Sequence, residues 1–283
     1  MSERTAAPGY SARRTLPLRV EIVRQFRRRR TLAMFGLLLG LPWVLAVAFM
    51  VGGEQERDNT PSLADMATQG GLNFAAFTLF VSVGFLLVVA VALFCGDTVA
   101  SEASWSSLRY LLAAPVPRAR LLRQKLIVAL GYSAVAVLVL PLMALLAGTL
   151  AFGWNDIRLP GTGQLVPAAD ALPRLAIVVG YALVSQLVVA GLAFLLSVGT
   201  DSPLGAVGGA VGLVIICNIL EAVEALGSWR EVLPTYWNLA WMDALAPEIT
   251  WDGMIKGVAV SLTYSVVLIA LAFRRFQRRD IVS

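Results

Sequence analysis

The sequence predicts an all-α integral membrane protein with six transmembrane helices. Three observations support this fold class. Hydrophobic residues make up 58% of the 283 positions and charged residues only 14%, whereas a soluble domain has roughly 45–50% and 25%. Six apolar segments are each long enough to cross a bilayer. The basic residues cluster before the first segment, between alternate segments and after the last one.

A hydrocarbon core about 30 Å thick requires roughly 20 apolar residues in a helix. The predicted spans are residues 32–51, 72–94, 126–152, 175–198, 204–223 and 255–273. Pro141 is expected to break the third span. The chain then divides into residues 1–31, a cytoplasmic tail with an interfacial helix; residues 32–273, the six-helix transmembrane domain; and residues 274–283, a basic cytoplasmic tail.

The distribution of basic residues predicts the orientation. Of the 23 Lys and Arg residues, nine precede position 31, five lie within 96–125 and four follow position 273. With six spans, these 18 residues fall on one side of the membrane. The positive-inside rule therefore places both termini in the cytoplasm.

The first element, residues 16–30, alternates apolar and basic positions. Leu16, Val20, Val23 and Phe26 recur every three to four residues with arginines between them. This pattern predicts an amphipathic helix on the cytoplasmic membrane surface. A plain run of positive-inside charges is the alternative.

The second element is the long inner loop between spans two and three. Ser101 is expected to cap a short helix that ends near Leu112, with Glu102 in its first turn. Trp105, Leu108, Leu111 and Leu112 form one apolar stripe. The interpretation is a cytoplasmic docking helix; alternatively, the stripe lies on the membrane or on neighbouring spans.

The third element is span five, which contains two overlapping GxxxG pairs, a pattern that permits close helix approach in lipid. Their glycines are Gly205, Gly208, Gly209 and Gly212. Packing within the monomer and packing at a subunit interface both fit this pattern.

The fourth element is the outer loop 227–253, which holds four of the seven tryptophans. Tyr and Trp favour the membrane–water boundary. We therefore expect an external re-entrant segment of short interfacial helices, with an aromatic ligand-binding lid as the alternative.

Polar residues within the spans are few, and they are the candidates for a substrate path. Asn218, Glu221 and Glu224 are expected to share one helical face, where they either serve transport or reach outer-face water. Asn73, Tyr181 and Gln186 either line a polar cleft or pair with neighbouring helices.

Several chemistries are excluded by what the sequence lacks. It has no histidine, and its two cysteines, Cys95 and Cys217, lie 122 positions apart in apolar runs. A histidine-based catalytic centre and a CxxC site are therefore ruled out, and no metal site is expected. Neither Lys125 nor Lys256 lies in a P-loop motif, so any ATP-dependent step requires another chain.

The loop sequence GDTVASEASWSSLRYLLAAPVPRARLLRQKL, residues 96–126, resembles the cytoplasmic loop of ABC-2 type transporter permeases, which have the type V exporter fold. In that family a small residue and Glu precede a short helix, followed by Leu-Leu, Pro-Val-x-Arg and a Lys that opens the third span. Ser106 and Ser107 replace the Gly-Thr that the family often has. The resemblance extends to the topology of the whole chain.

This resemblance implies the transmembrane subunit of an ABC exporter in a bacterial inner membrane, a permease rather than an enzyme. It also implies a second permease copy or paralogue, and a partner ATPase dimer that binds ATP and Mg²⁺; this chain itself would carry no cofactor. The residues matched to ATPase coupling are Ser101, Glu102, Trp105, Leu108, Arg109, Arg118 and Asp201. The alternatives are a non-transporting membrane anchor and, less favoured, a lipid-modifying enzyme.

Overall fold

The computed structural model describes residues 18–52, 63–104, 117–160 and 162–278, and almost all regular structure in them is helical. The helices are α1 (Leu18–Phe26), α2 (Arg29–Val51), α3 (Leu63–Met66), α4 (Gly71–Val83), α5 (Leu86–Ser104), α6 (Arg118–Phe152), α7 (Ala168–Gly199), α8 (Pro203–Glu221) and α9 (Asp252–Arg278). Three segments form 3-10 helices: Ala67–Gln69, Glu224–Val232 and Ala240–Leu245. Two short strands, β1 (Ile157–Arg158) and β2 (Leu165–Val166), pair antiparallel with Ile157 opposite Val166.

Five helices, α2, α6, α7, α8 and α9, are each long and apolar enough to cross a membrane. Helices α4 and α5 pass the same test as a pair, bent by 57° at the break between them. The molecule is therefore an all-α, multi-pass membrane protein, as the sequence predicts at this coarser level.

The predicted second span differs from the structure, because its residues form two helices rather than one. Helix α4 ends at Val83, and α5 begins at Leu86. Gly84 lies in the break, and glycine is a poor helix former. The Gln186 side chain of α7 donates a hydrogen bond to the Val83 carbonyl at 3.0 Å, so a neighbouring helix satisfies the backbone group that the break leaves open.

The prediction that Pro141 breaks the third span is wrong. Helix α6 continues through Pro141, as α2 continues through Pro42. Membrane helices tolerate proline where neighbouring groups satisfy the freed carbonyl.

Helix α7 lies at the centre of the bundle and packs against α5, α8 and α9. In its most apolar stretch 56% of the residues are buried, against 17% in the corresponding stretch of α8. Helix α8 is thus peripheral and exposes large apolar side chains such as Leu204 and Ile219.

The segment between α8 and α9 consists of the two longer 3-10 helices and turns, in agreement with the predicted short helices. Trp241 is fully buried there, while Trp229 and Trp251 are exposed. Tyr181 of α7 donates a hydrogen bond to the Trp237 carbonyl, which fixes this segment to the bundle.

Candidate functional site

One end of the bundle gathers charged side chains from four helix ends: α1, the start of α2, the end of α5 and the start of α6. Four of them, Glu21, Asp97, Glu102 and Lys125, are buried. We call this set the ion network; its members are Glu21, Arg24, Arg28, Arg30, Asp97, Ser101, Glu102 and Lys125. Buried charges are expensive unless they are paired and hydrogen-bonded. Their concentration at one place makes this end the candidate functional site.

Lys125 of α6 is the centre of the ion network, and its side chain is only 1% exposed. Its Nζ lies 3.0 Å from Glu21 Oε1 and 2.5 Å from Glu102 Oε1. The Thr98 carbonyl lies 3.4 Å away as a further acceptor. One ammonium group therefore joins α1, α5 and α6.

Arg24 completes this cluster from the surface side. Its guanidinium lies 2.7 Å from Glu21 Oε2 and also pairs with Glu102. Burial alone would raise the pKa of Glu21, but Lys125 and Arg24 together outweigh burial and hold the pKa below its ordinary value. Burial would lower the pKa of Arg24, but Glu102 and Glu21 raise it. Glu21 and Arg24 are therefore both held in their charged forms.

Asp97 forms the second half of the ion network. Its carboxylate accepts hydrogen bonds from Arg28 and, at 3.1 Å, from Arg30. Arg28 also donates to Ser101 Oγ at 3.0 Å, and Ser101 in turn donates to the Asp97 carbonyl. The turn between α1 and α2 is thereby fixed to α5.

Ser101 and Glu102 do not begin a new helix, so this part of the prediction is wrong. Both lie in the last turns of α5, which runs to Ser104. Ser101 bonds the carbonyl four residues earlier instead of capping a helix start. Glu102 is 3% exposed and faces Lys125 and Arg24. The sequence alone did not reveal that these positions continue the preceding span.

The other residues matched to coupling fall in or beside the segment between α5 and α6, or in the α7–α8 turn. Trp105, Leu108 and Arg109 lie outside the described residues. Arg118 is the first residue of α6. Asp201 is exposed in the turn that joins α7 to α8.

The residues expected along a substrate path do not meet in one cleft. Asn73 exchanges two hydrogen bonds with the Arg158 backbone, at 2.8 and 3.0 Å. Tyr181 bonds Trp237, and Gln186 bonds Val83. Asn73 and Tyr181 therefore follow the second alternative, pairing with neighbouring elements, whereas Gln186 both pairs with Val83 and lines a cavity between α6 and α7.

Asn218, Glu221 and Glu224 do not share one helical face as expected. Helix α8 ends at Glu221, and Val223 has an extended backbone. Glu224 begins a 3-10 helix of its own. Of the three residues, only Asn218 and Glu221 therefore lie on helix α8. Asn218 is exposed, and Glu221 is half-buried.

The four glycines of α8 do not act alike. A side chain at Gly209 would meet Leu196 of α7 at 3.2 Å, and one at Gly205 would meet Ser202 at 3.3 Å. Gly208 and Gly212 have nothing within 4 Å of the corresponding position. Within the described chain, Gly209 is thus the member that faces another helix closely.

Helix α1 combines an expected feature with one that sequence reasoning missed. Val20, Val23 and Phe26 are 43–55% exposed, as suits an interfacial helix. The buried face is polar, since Glu21 and Gln25 are each 3% exposed. Two features of the sequence indicated the ion network. Glu21 and Gln25 lie four positions apart, outside the apolar face of α1. Asp97 and Lys125 are charged residues that adjoin apolar segments.

The ion network pairs carboxylates with cations, and the groups that donate hydrogen bonds to these carboxylates are guanidinium and ammonium groups. Among the described residues, no group of three or more His, Cys, Asp or Glu side chains is placed to hold a metal ion. Its geometry favours structural coupling between helices and attraction of anions.

The fold and the ion network define a class: a multi-pass, all-α membrane protein whose helix ends are joined by buried ion pairs beneath a basic amphipathic helix.

The chain belongs to the family described as "Protein of unknown function (DUF2705)", whose model matches residues 43–282. It is also similar to the uncharacterized protein YhcI of Bacillus subtilis (strain 168), with 26% identity over 221 residues. That match covers 74% of this chain and 67% of YhcI.

Proposed function

We propose that the chain is the transmembrane subunit of an ATP-binding cassette exporter that works with separate cytoplasmic ATPase subunits. The observation that carries the proposal is the buried contact between Glu102 and Lys125. These two residues close the base of the inner loop, the segment that resembles the ATPase-binding loop of ABC-2 permeases. A force applied to that loop would therefore act on α5 and α6 together.

The ion network extends this coupling to α1. Glu21 contacts Lys125, and Arg24 contacts Glu102. A displacement of the loop would accordingly move the interfacial helix and two spans as one unit. In this role Glu102 supports the loop from within the protein and does not contact an ATPase directly. Arg109 is then the basic residue of the loop that the experiment tests for ATPase contact.

In this proposal α4 and α5 form one bent span, which gives six spans with both termini in the cytoplasm of a bacterial cell. The bend is a natural place for a tilt between inward-open and outward-open states. Beside it, a cavity of about 260 Å³ lies between α6 and α7, lined mainly by apolar residues together with Ser133 and Gln186. We assign the substrate path to this side of the molecule.

A second permease subunit would cover the exposed face of α8. Gly208 and Gly212 leave open space along that face, and small residues allow helices to approach closely in lipid. Dimerisation through α8 would enclose a path between two protomers.

The test is purification of the tagged full chain from its native membranes, with identification of bound proteins by mass spectrometry. We expect an ABC ATPase in equal amount and ATP hydrolysis in proteoliposomes. Arg109→Glu should reduce ATPase recovery about tenfold, corresponding to about 1.4 kcal/mol of lost contact energy. The matched control is Arg278→Glu, the same charge reversal at an exposed position of α9.

Recovery of other partners without an ATPase would contradict the exporter and support the membrane-anchor alternative. Equal ATPase recovery by the wild type and both variants would remove Arg109 from the interface.

A further inference from the structure

A basic cavity opens beside the ion network. It encloses about 670 Å³ between the α1–α2 turn, the end of α5 and the start of α8. Its lining residues are Arg24, Arg27, Arg28, Arg29, Arg30, Asp97, Ser101, Glu102, Ser104 and Pro203. A volume of this size lies within the roughly 300–1,000 Å³ typical of small-ligand sites.

The charge in this cavity is unbalanced. Five arginines face two carboxylates, so the lining carries three positive charges in excess. Arg24, Arg28 and Arg30 are held by Glu21, Glu102 and Asp97. Arg27 and Arg29 have no ion-pair partner among the described residues. Two guanidinium groups at one opening are therefore available for an anion.

The cavity lies next to the membrane-facing part of the chain. The apolar run of α2 starts at Leu32, two residues after Arg30. On α1, Val23 and Phe26 expose 43% and 53% of their surface beside the arginines. A helix that exposes apolar side chains between basic residues lies at the headgroup level of a bilayer.

From this geometry we propose that the cavity binds the headgroup of an anionic phospholipid. The phosphate would be held by Arg27 and Arg29, since guanidinium groups recognise phosphate oxygens through paired hydrogen bonds. The acyl chains would follow the exposed apolar side of α1. Inorganic phosphate shares the first contact but has no chains to use the second. This proposal goes beyond the exporter function and does not depend on it.

The experiment titrates the purified full chain, without any ATPase, with defined lipids and counts bound lipids by native mass spectrometry. The probes are phosphatidylglycerol, phosphatidylcholine and inorganic phosphate. The test variant is Arg27→Gln with Arg29→Gln, which leaves every ion pair of the network in place. Its matched control is Arg274→Gln with Arg278→Gln, which removes two exposed charges at the end of α9.

We expect wild type to prefer phosphatidylglycerol over phosphatidylcholine, and inorganic phosphate to compete poorly. Each arginine near a membrane surface contributes about 1 kcal/mol to anionic lipid binding, so the test variant should lose roughly tenfold to thirtyfold of phosphatidylglycerol affinity. The control should keep the wild-type affinity.

Three results would overturn the proposal. One is a wild-type protein that binds both lipids equally, a result that needs no variant. Another is an equal loss of affinity in the test variant and the control. The third is inorganic phosphate binding as tightly as phosphatidylglycerol, which would make the cavity a small-anion site.

Discussion

The two ends of the bundle are held together by different chemistry. Where α1, α5 and α6 meet, long charged side chains pair with one another around Lys125. At the opposite end, side chains bind backbone groups: Arg174 donates to the carbonyl of Ala246 at 2.5 Å, and Asn73 bonds the Arg158 backbone.

This difference separates an end held by pairs of opposite charges from one whose acceptors are neutral backbone carbonyls. A backbone carbonyl does not titrate, and no substitution removes it. A carboxylate needs its cation, because a buried charge left alone is strongly unfavourable. The ion network is therefore the end where one substitution or a pH change should have the greater effect.

Lys125→Met should have the largest effect on stability. It leaves Glu21 and Glu102 buried without their central cation, and breaking a buried pair from one side costs about 3–5 kcal/mol. Thermal unfolding in detergent should show a large decrease in the midpoint. Lys256→Met is the matched control, since Lys256 is the other lysine and is exposed. Its ammonium lies 5.5 Å from the Trp237 ring, so we expect its loss to lower the free energy of unfolding by less than about 1 kcal/mol.

Adding Glu102→Gln to Lys125→Met should restore part of the lost stability, because it removes one of the two carboxylates that would otherwise share Arg24 as their remaining cation. If the two lysine variants unfold at the same temperature, the ion network does not support the fold.

Arg174→Met should have an intermediate effect at the other end. Arg174 also reaches the carbonyls of Ala244 and Pro247, at 3.5 and 3.3 Å, and hydrogen bonds from a charged group contribute roughly 1.5–3 kcal/mol. The unfolding midpoint should fall by less than in Lys125→Met. Arg158→Met is a suitable control, because the Arg158 backbone makes the contacts to Asn73. A greater loss for Arg174→Met than for Lys125→Met would reverse the comparison.

Acid should produce the smallest effect and act through the ion network. The folded pKa of Glu21 lies below its ordinary value of 4.5, so folded Glu21 remains ionised while unfolded Glu21 takes up a proton. Its contribution is fully present above the ordinary value and is lost as pH falls from there through the folded pKa.

The measurement is the unfolding midpoint of wild type and Glu21→Gln across that acidic range. The difference between the two proteins should shrink as pH falls, whereas the difference between wild type and Arg174→Met should stay constant. A wild type and a Glu21→Gln variant with parallel pH profiles would show that Glu21 makes no ionised contribution.

Hydropathy predicted the apolar helices because each span carries its own signal within about 20 residues. The bend between α4 and α5 was missed because its partner, Gln186, lies 103 residues away. The ion network was missed for the same reason. Glu21 and Lys125 are 104 positions apart, and the periodicity of α1 indicated an apolar face without showing what its polar face contacts.

The hydrogen bond between Gln186 and Val83 also has a consequence for biosynthesis. During translation, Val83 leaves the ribosome 103 residues before Gln186. Until α7 is made, the carbonyl at the bend lacks this donor, and an unsatisfied backbone group in lipid costs several kcal/mol. The nascent α4–α5 hydrophobic segment should therefore remain straight, or stay beside the translocon, and adopt its bend only when α7 is inserted. The shape of an early span is then decided late, by α7, which is synthesised two helices after α5.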